Sequence, residues 1–70
     1  MRVELNRKKL KQMREQNHLT QEELAELSEI SDRHLRNLET VSTIPSASVL
    51  CKICLTLNTS MDELMTIYDD

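Results

Sequence analysis

Cys51 and Cys54 stand in a C-x-x-C spacing, the one place in this 70-residue chain where two soft nucleophiles fall close together. Such a pair serves thiol–disulfide exchange when it sits at a strand-to-helix junction, and zinc when two further ligands complete a tetrahedron. Here both thiols fall inside a run with helical apolar spacing, and His18 and His34 do not obviously supply the missing ligands. A core-filling or interface role fits them better, because a free cysteine behaves as a small hydrophobe. His34 has no nucleophile near it in sequence and does not read as a catalytic base. Paired carboxylates, a phosphate loop and a triad-like set are all missing from the sequence, so we expect no enzyme, no cofactor, no metal and no small-molecule ligand.

Charge is the other chemistry on offer. The chain carries a formal −3, unevenly spread. From Met1 to Arg14 six cations oppose Glu4, a local +5; from Glu15 to Glu39 the balance is −5, and from Thr40 onward it is −3. The cluster Arg7, Lys8, Lys9 and Lys11 can meet phosphates, or can be the solvated face of a helix. An acidic remainder would suppress indiscriminate attachment to a polyanion while leaving local basic contacts available, which suits a specific nucleic-acid binder better than an architectural one. No apolar run approaches the roughly 18 residues that span a bilayer, and the N-terminus lacks the apolar core of a signal peptide. A cytoplasmic, non-membrane protein is the expectation.

The elements that must position these groups read as helices throughout. Glycine is absent, proline occurs once, and the apolar residues are mostly Leu, Ile, Val, Ala and Met, a helix-favouring composition with no sign of a sheet. One domain over residues 1–70 is expected, with a compact core, since a chain this short buries only about 60% of its unfolded surface. Asn6 can cap a first helix (7–17) with Leu10 and Met13 on one face and Asn17 as a left-handed stop. Thr20-Gln21-Glu22-Glu23 is a capping box opening a second helix (21–28), and Ser31 caps a third (32–39) with Leu35 and Leu38 inward. A loop through Pro45 follows. Ser46 caps a fourth helix (47–57) whose inward face is Val49, Leu50, Ile53, Cys54 and Leu57, and Asn58 stops it. Ser60-Met61-Asp62-Glu63 is a second capping box, opening a short fifth helix (61–67) before a frayed Tyr68-Asp69-Asp70.

Two short helices joined by a tight turn, opened by Thr-Gln and by Ser, are the parts of a helix-turn-helix. The run LTQEELAELSEIS, then LRNLE, a proline loop and PSASVLCKICLTLNTSMDEL resembles the phage repressor and Cro (XRE-type helix-turn-helix) family of bacterial regulators, over about Leu10 to Leu64 without a gap. The resemblance implies an all-α, five-helix, lambda-repressor-like DNA-binding domain. It implies that Ala25 is the small residue where helices two and three cross, Ile30 the apolar residue of the turn, and Arg14 with Glu39 an internal ion pair. The sequence departs from the family at Glu29, where glycine is usual, and at Thr40-Val41. Glu29 is therefore either held left-handed at a cost of roughly 1–2 kcal/mol or sits in a differently shaped turn.

What the resemblance implies for function is a sequence-specific regulator of transcription, a repressor acting as a homodimer on a near-palindromic operator. Arg33, Asp32, Arg36 and Asn37 match the surface directed at base edges in the major groove of double-stranded DNA. Arg33 can donate two parallel bonds to a guanine and Asp32 can accept from a cytosine. Gln21, Ser31, Thr20 and Lys9 are then the phosphate contacts. Leu55, with Met65, Tyr68 and Cys51, is the expected dimer surface. The competing reading is an antitoxin-like or adaptor protein whose main role is protein–protein binding, kept open by the acidic surface.

Overall fold

The computed structural model describes residues 1–41 and 44–69. In chain order the elements are β1 (Arg2–Leu5), α1 (Arg7–Gln16), α2 (Gln21–Leu27), α3 (Asp32–Thr40), α4 (Ala47–Leu57), α5 (Met61–Leu64) and β2 (Met65–Tyr68). Each helix begins at a short polar side chain that accepts from a backbone N–H three residues on: Asn6, Thr20, Ser31, Ser46 and Ser60. Caps of this kind contribute about 0.5–2 kcal/mol apiece, a large share of the stability of helices this short. At Thr20 both halves of the capping box form, with Glu23 N donating to Oγ1 at 3.1 Å and Thr20 N donating to the Glu23 carboxylate at 3.0 Å. The Thr20 backbone N–H, and then its hydroxyl, hold the Glu23 carboxyl below the usual carboxylate range. That support for α2 is present above the unfolded-state pKa and is lost as pH falls through the lower folded one. At Ser60 the carboxylate of Glu63 turns instead to the Thr59 hydroxyl, at 2.8 Å.

Three helices end in the same way without a glycine. His18, Glu29 and Asn58 have φ of 58°, 58° and 54°. Behind each the chain closes a bond from the residue after it: Leu19 N to Arg14 O, Ile30 N to Ala25 O, and Thr59 N to Cys54 O. This pairing satisfies carbonyls that the helix leaves over, and Leu19 and Ile30 press on the core from the same turns. Helix one closes at Gln16, one residue short of the expected boundary, while its left-handed stop falls one residue later than expected. Asn17 keeps φ near −89° and spends its amide on the Met13 carbonyl, so His18 takes the left-handed position. Glu29 is left-handed, and its carboxylate meets Lys52 Nζ at 3.4 Å, with the Glu29 side chain 72% exposed. An ion pair that open to water offsets little of the backbone cost. Glu29→Gly is accordingly expected to stabilise the chain by about 1 kcal/mol, read as a higher urea midpoint. A lower midpoint would mean that the Lys52 contact outweighs the relieved turn.

The core is one cluster fed by every element but β2: Leu5, Leu10, Leu24 and Ala25, Leu35 and Leu38, Leu50, Ile53, Cys54 and Leu57, and Leu64 are buried. Cys54 fills space there, and burial, then the neighbouring Cys51, push its thiol up, so it stays protonated at neutral pH. The hydroxyl of Ser28, at the end of α2, is also buried, with no hydrogen-bond partner among the described residues.

The five helices stand as the resemblance implies, but the chain is not free of sheet. The fifth helix ends at Leu64, three residues short of the expected boundary, and the chain continues as β2. β2 pairs antiparallel with β1, setting Arg2 against Tyr68, Val3 against Ile67, Glu4 against Thr66 and Leu5 against Met65. Tyr68 is therefore paired rather than frayed, with the Arg2 guanidinium 4.5 Å from its ring centre. The physical reason is local: Met65-Thr66-Ile67-Tyr68 is rich in β-branched and aromatic residues and alternates in polarity, which favours a strand once a partner lies alongside. The loop before Pro45 begins after Thr40, which closes α3; residues 42 and 43 lie outside the described part.

Candidate nucleic-acid interface

The outer surface of α3 is aimed by a buried pair behind it. Arg14, on α1, donates through Nε to Glu39 Oε2 at 2.7 Å and through Nη2 to Oε1 at 3.2 Å. Nη1 donates to the Leu19 carbonyl at 2.8 Å, and Gln21 Nε2 donates to Glu39 Oε1 at 3.0 Å. The two side chains are 9% and 1% exposed. All three guanidinium nitrogens and both carboxylate oxygens are thus engaged, the condition under which a desolvated ion pair is tolerated. The network ties α1, the start of α2 and the end of α3 to one another. Arg7 adds a second tie: its Nη1 donates to the Thr40 carbonyl at 2.8 Å, placing a cation at the negative end of α3.

With Leu35, Leu38 and Glu39 inward, α3 turns Arg33, Arg36, Asn37 and Thr40 outward, and all four are exposed. Their spacing of three and four residues puts them in one stripe along the helix. Asp32, also exposed, flanks the stripe in the first turn. Asp32 and Arg36 share a cleft of about 490 Å³ with Arg14, Thr20, Gln21 and Glu22. Ala25, with no exposed surface, allows α2 and α3 to approach closely behind it. The hydroxyls of Thr20 and Ser31 accept from the N–H groups of Glu23 and His34, leaving each O–H proton free to point outward. Gln21 Nε2 has one proton on Glu39 and a second to give. Lys9 sits half-buried on α1, outside the cleft.

The residues expected at a dimer contact lie on two elements, α4 and β2. Cys51 and Leu55 are exposed one turn apart on the outward side of α4, Leu55 at 76%. Met65 and Tyr68 lie on β2, Met65 half-buried against the core. Reading the sequence missed Thr40 as a member of the outward stripe, the Gln21–Glu39 bond and the Arg7–Thr40 clamp. The first had a signal, the i, i+4 spacing from Arg36. The other two depend on how distant helices cross.

A helix-turn-helix family model matches residues 10–64, most of the chain. The chain belongs to the XRE-type helix-turn-helix family. As a member, it is a DNA-binding transcription regulator, and α2 and α3 are its helix-turn-helix. No curated protein gives a significant match. The matched segment of this XRE-type chain stops at Leu64, where α5 gives way to β2, so both strands of the ribbon lie outside it. Among the described residues no helix is long and apolar enough to cross a membrane.

Proposed function

We propose that this regulator is a repressor that occupies a near-palindromic operator as a homodimer, with α3 in the major groove. The observation that carries the reading is the outward stripe of α3, whose angle to α1 and α2 is held by the buried Arg14–Glu39–Gln21 network. Arg33 is the principal base reader, with two parallel N–H donors for a guanine edge. Asp32 faces a base edge rather than a phosphate, which would repel it, and Arg36 and Asn37 reach a base or the backbone one turn further on. Gln21, Thr20 and Ser31 donate to phosphate oxygens around the cleft, and Lys9 contributes charge from α1. One chain offers few base contacts. Two copies related by a two-fold axis would set their α3 helices about 34 Å apart in successive grooves.

Selection from random duplexes tests this reading. Arg33→Ala is expected to weaken binding by about 1–3 kcal/mol and to relax preference at one position of each half-site, whereas Gln21→Ala weakens all sequences about equally. If Arg33→Ala leaves every position of the selected sequence unchanged, Arg33 does not read a base. Glu22, Glu23 and Glu26 on α2 and Glu29 in the turn after it are all exposed, and they favour the second reading, an antitoxin-like or adaptor protein. Failure of the unaltered chain to enrich any sequence would favour that one.

A further inference from the structure

The terminal ribbon has an open edge with a pattern of its own. Asn6 N donates to Leu64 O at 2.7 Å, continuing the register that pairs Glu4 with Thr66 and Arg2 with Tyr68. Backbone groups alternate sides along an antiparallel strand, so Arg2, Glu4 and Asn6 face β2 while Val3 and Leu5 turn their N–H and C=O groups to the other side. Among the described residues the sheet has two strands, and no third covers that side of β1.

We propose that this edge pairs with the same edge of a second copy of the chain, antiparallel about a two-fold axis at Val3, to form a four-stranded sheet with the two β1 strands at its centre. The proposal rests on the homodimer reading above and names where the two copies meet. Charge selects the register. An outward residue must meet an outward residue, so the two-fold arrangements are centred on position 2, 3 or 4, which set Val3 against Met1, Val3 or Leu5 of the other copy, or on Leu5. The last is excluded because it would lay Val3 against Arg7, where α1 has begun. Centring on Arg2 sets arginine against arginine, and centring on Glu4 sets glutamate against glutamate, both unfavourable across adjacent strands. Centring on Val3 sets Arg2 of each copy against Glu4 of the other, and Val3 against Val3. A two-fold contact requires this kind of reciprocity.

The faces agree with the charges. Val3 and Ile67 are 38% and 64% exposed, on the same side of the ribbon as buried Leu5 and half-buried Met65. Pairing would lay Ile67, Val3 and their two counterparts in one apolar row that prolongs the core across the axis. Within one chain Arg2 and Glu4 are 4.0 Å apart, with side chains 55% and 35% exposed, a loose pair that leaves both groups able to reach across.

A mixing experiment decides the matter. Arg2→Glu gives the edge two acids and Glu4→Arg gives it two bases, so each variant alone sets like charges across the axis. Sedimentation is expected to show each variant as a monomer where the unaltered chain is a dimer. An equimolar mixture of the two is expected to associate at least about tenfold more tightly than either alone, because both contacts then join opposite charges. A change confined to the fold of one chain cannot produce that rescue. Single variants that dimerise like the unaltered chain, a mixture no better associated than its components, or an unaltered chain that stays monomeric would each overturn the proposal. Leu55→Glu is expected to leave association unchanged. If it alone yields monomers, the copies meet on α4 and the homodimer reading survives without the ribbon; if the unaltered chain is monomeric and selects a single unrepeated site, that reading falls as well.

Discussion

Glu39→Ala is expected to leave the chain largely unfolded at physiological temperature. The substitution strands the Arg14 guanidinium, whose side chain is 9% exposed, without the carboxylate that takes two of its bonds, and removes the acceptor of Gln21. Breaking a buried pair by deleting one partner costs about 3–5 kcal/mol, because the remaining charge stays desolvated and uncompensated. A core of this size rarely supplies more than about 3–5 kcal/mol of net stability, so the loss is of the order of the whole. Glu39→Gln keeps the shape and some of the hydrogen bonding, and should fall between the two. Thermal unfolding followed by circular dichroism measures the series; an unchanged midpoint for Glu39→Ala would show that α3 is not held by this pair. The figure describes breaking the pair and not its net worth, since well-packed apolar replacements for both partners can be neutral. What the pair supplies here is direction: it sets the angle at which α3 leaves the core.

Leu64→Ala carries the second large effect. Leu64 has no exposed surface, and α5 packs against α1, α4 and β2, so its side chain lies where three elements meet. Truncating a buried leucine costs about 2–5 kcal/mol, more where neighbours cannot close the gap. Leu64 also anchors the ribbon, its carbonyl accepting from Asn6 N. Unfolding in urea should therefore show a midpoint lowered severely for Leu64→Ala, and only slightly for Leu64→Met, whose volume is similar and whose expected loss is under about 1.5 kcal/mol. Equal losses for both would indicate that shape at this junction, rather than volume, is the constraint.

The two variants touch features that differ in how far the sequence announces them. The start of every helix is written locally, in Asn6, Thr20, Ser31, Ser46 and Ser60, because a cap acts on N–H groups within three residues of itself. The inward faces of α3 and α4 follow from leucines and isoleucines at helical spacing for the same short-range reason. The same spacing sets Leu64 and Ile67 on one face of a fifth helix, but only Leu64 is buried, because the chain turns to strand after it and leaves Ile67 exposed. The left-handed turn at Glu29 was legible only as a departure from family habit, and the shift from Asn17 to His18 not at all, since either residue could close that turn.

The ribbon was readable in principle, as Arg2-Val3-Glu4-Leu5 and Met65-Thr66-Ile67-Tyr68 both alternate polar with apolar. Four residues of alternation are too few to tell a strand from a helix end, and each strand exists only because the other lies beside it. The Arg14–Glu39 pair joins residues 25 apart, and the Arg7–Thr40 clamp residues 33 apart. No spacing rule links such positions. Resemblance to a family pointed to the first, and nothing pointed to the second. Local chemistry thus settled where helices begin and which faces they bury, and resemblance to a family pointed to α2 and α3 as a helix-turn-helix. The crossing of α1 with α3 and the meeting of the two chain ends settled how that pair is aimed and which edge stays open, because long-range contacts are set by packing of the whole chain and not by its neighbours in sequence.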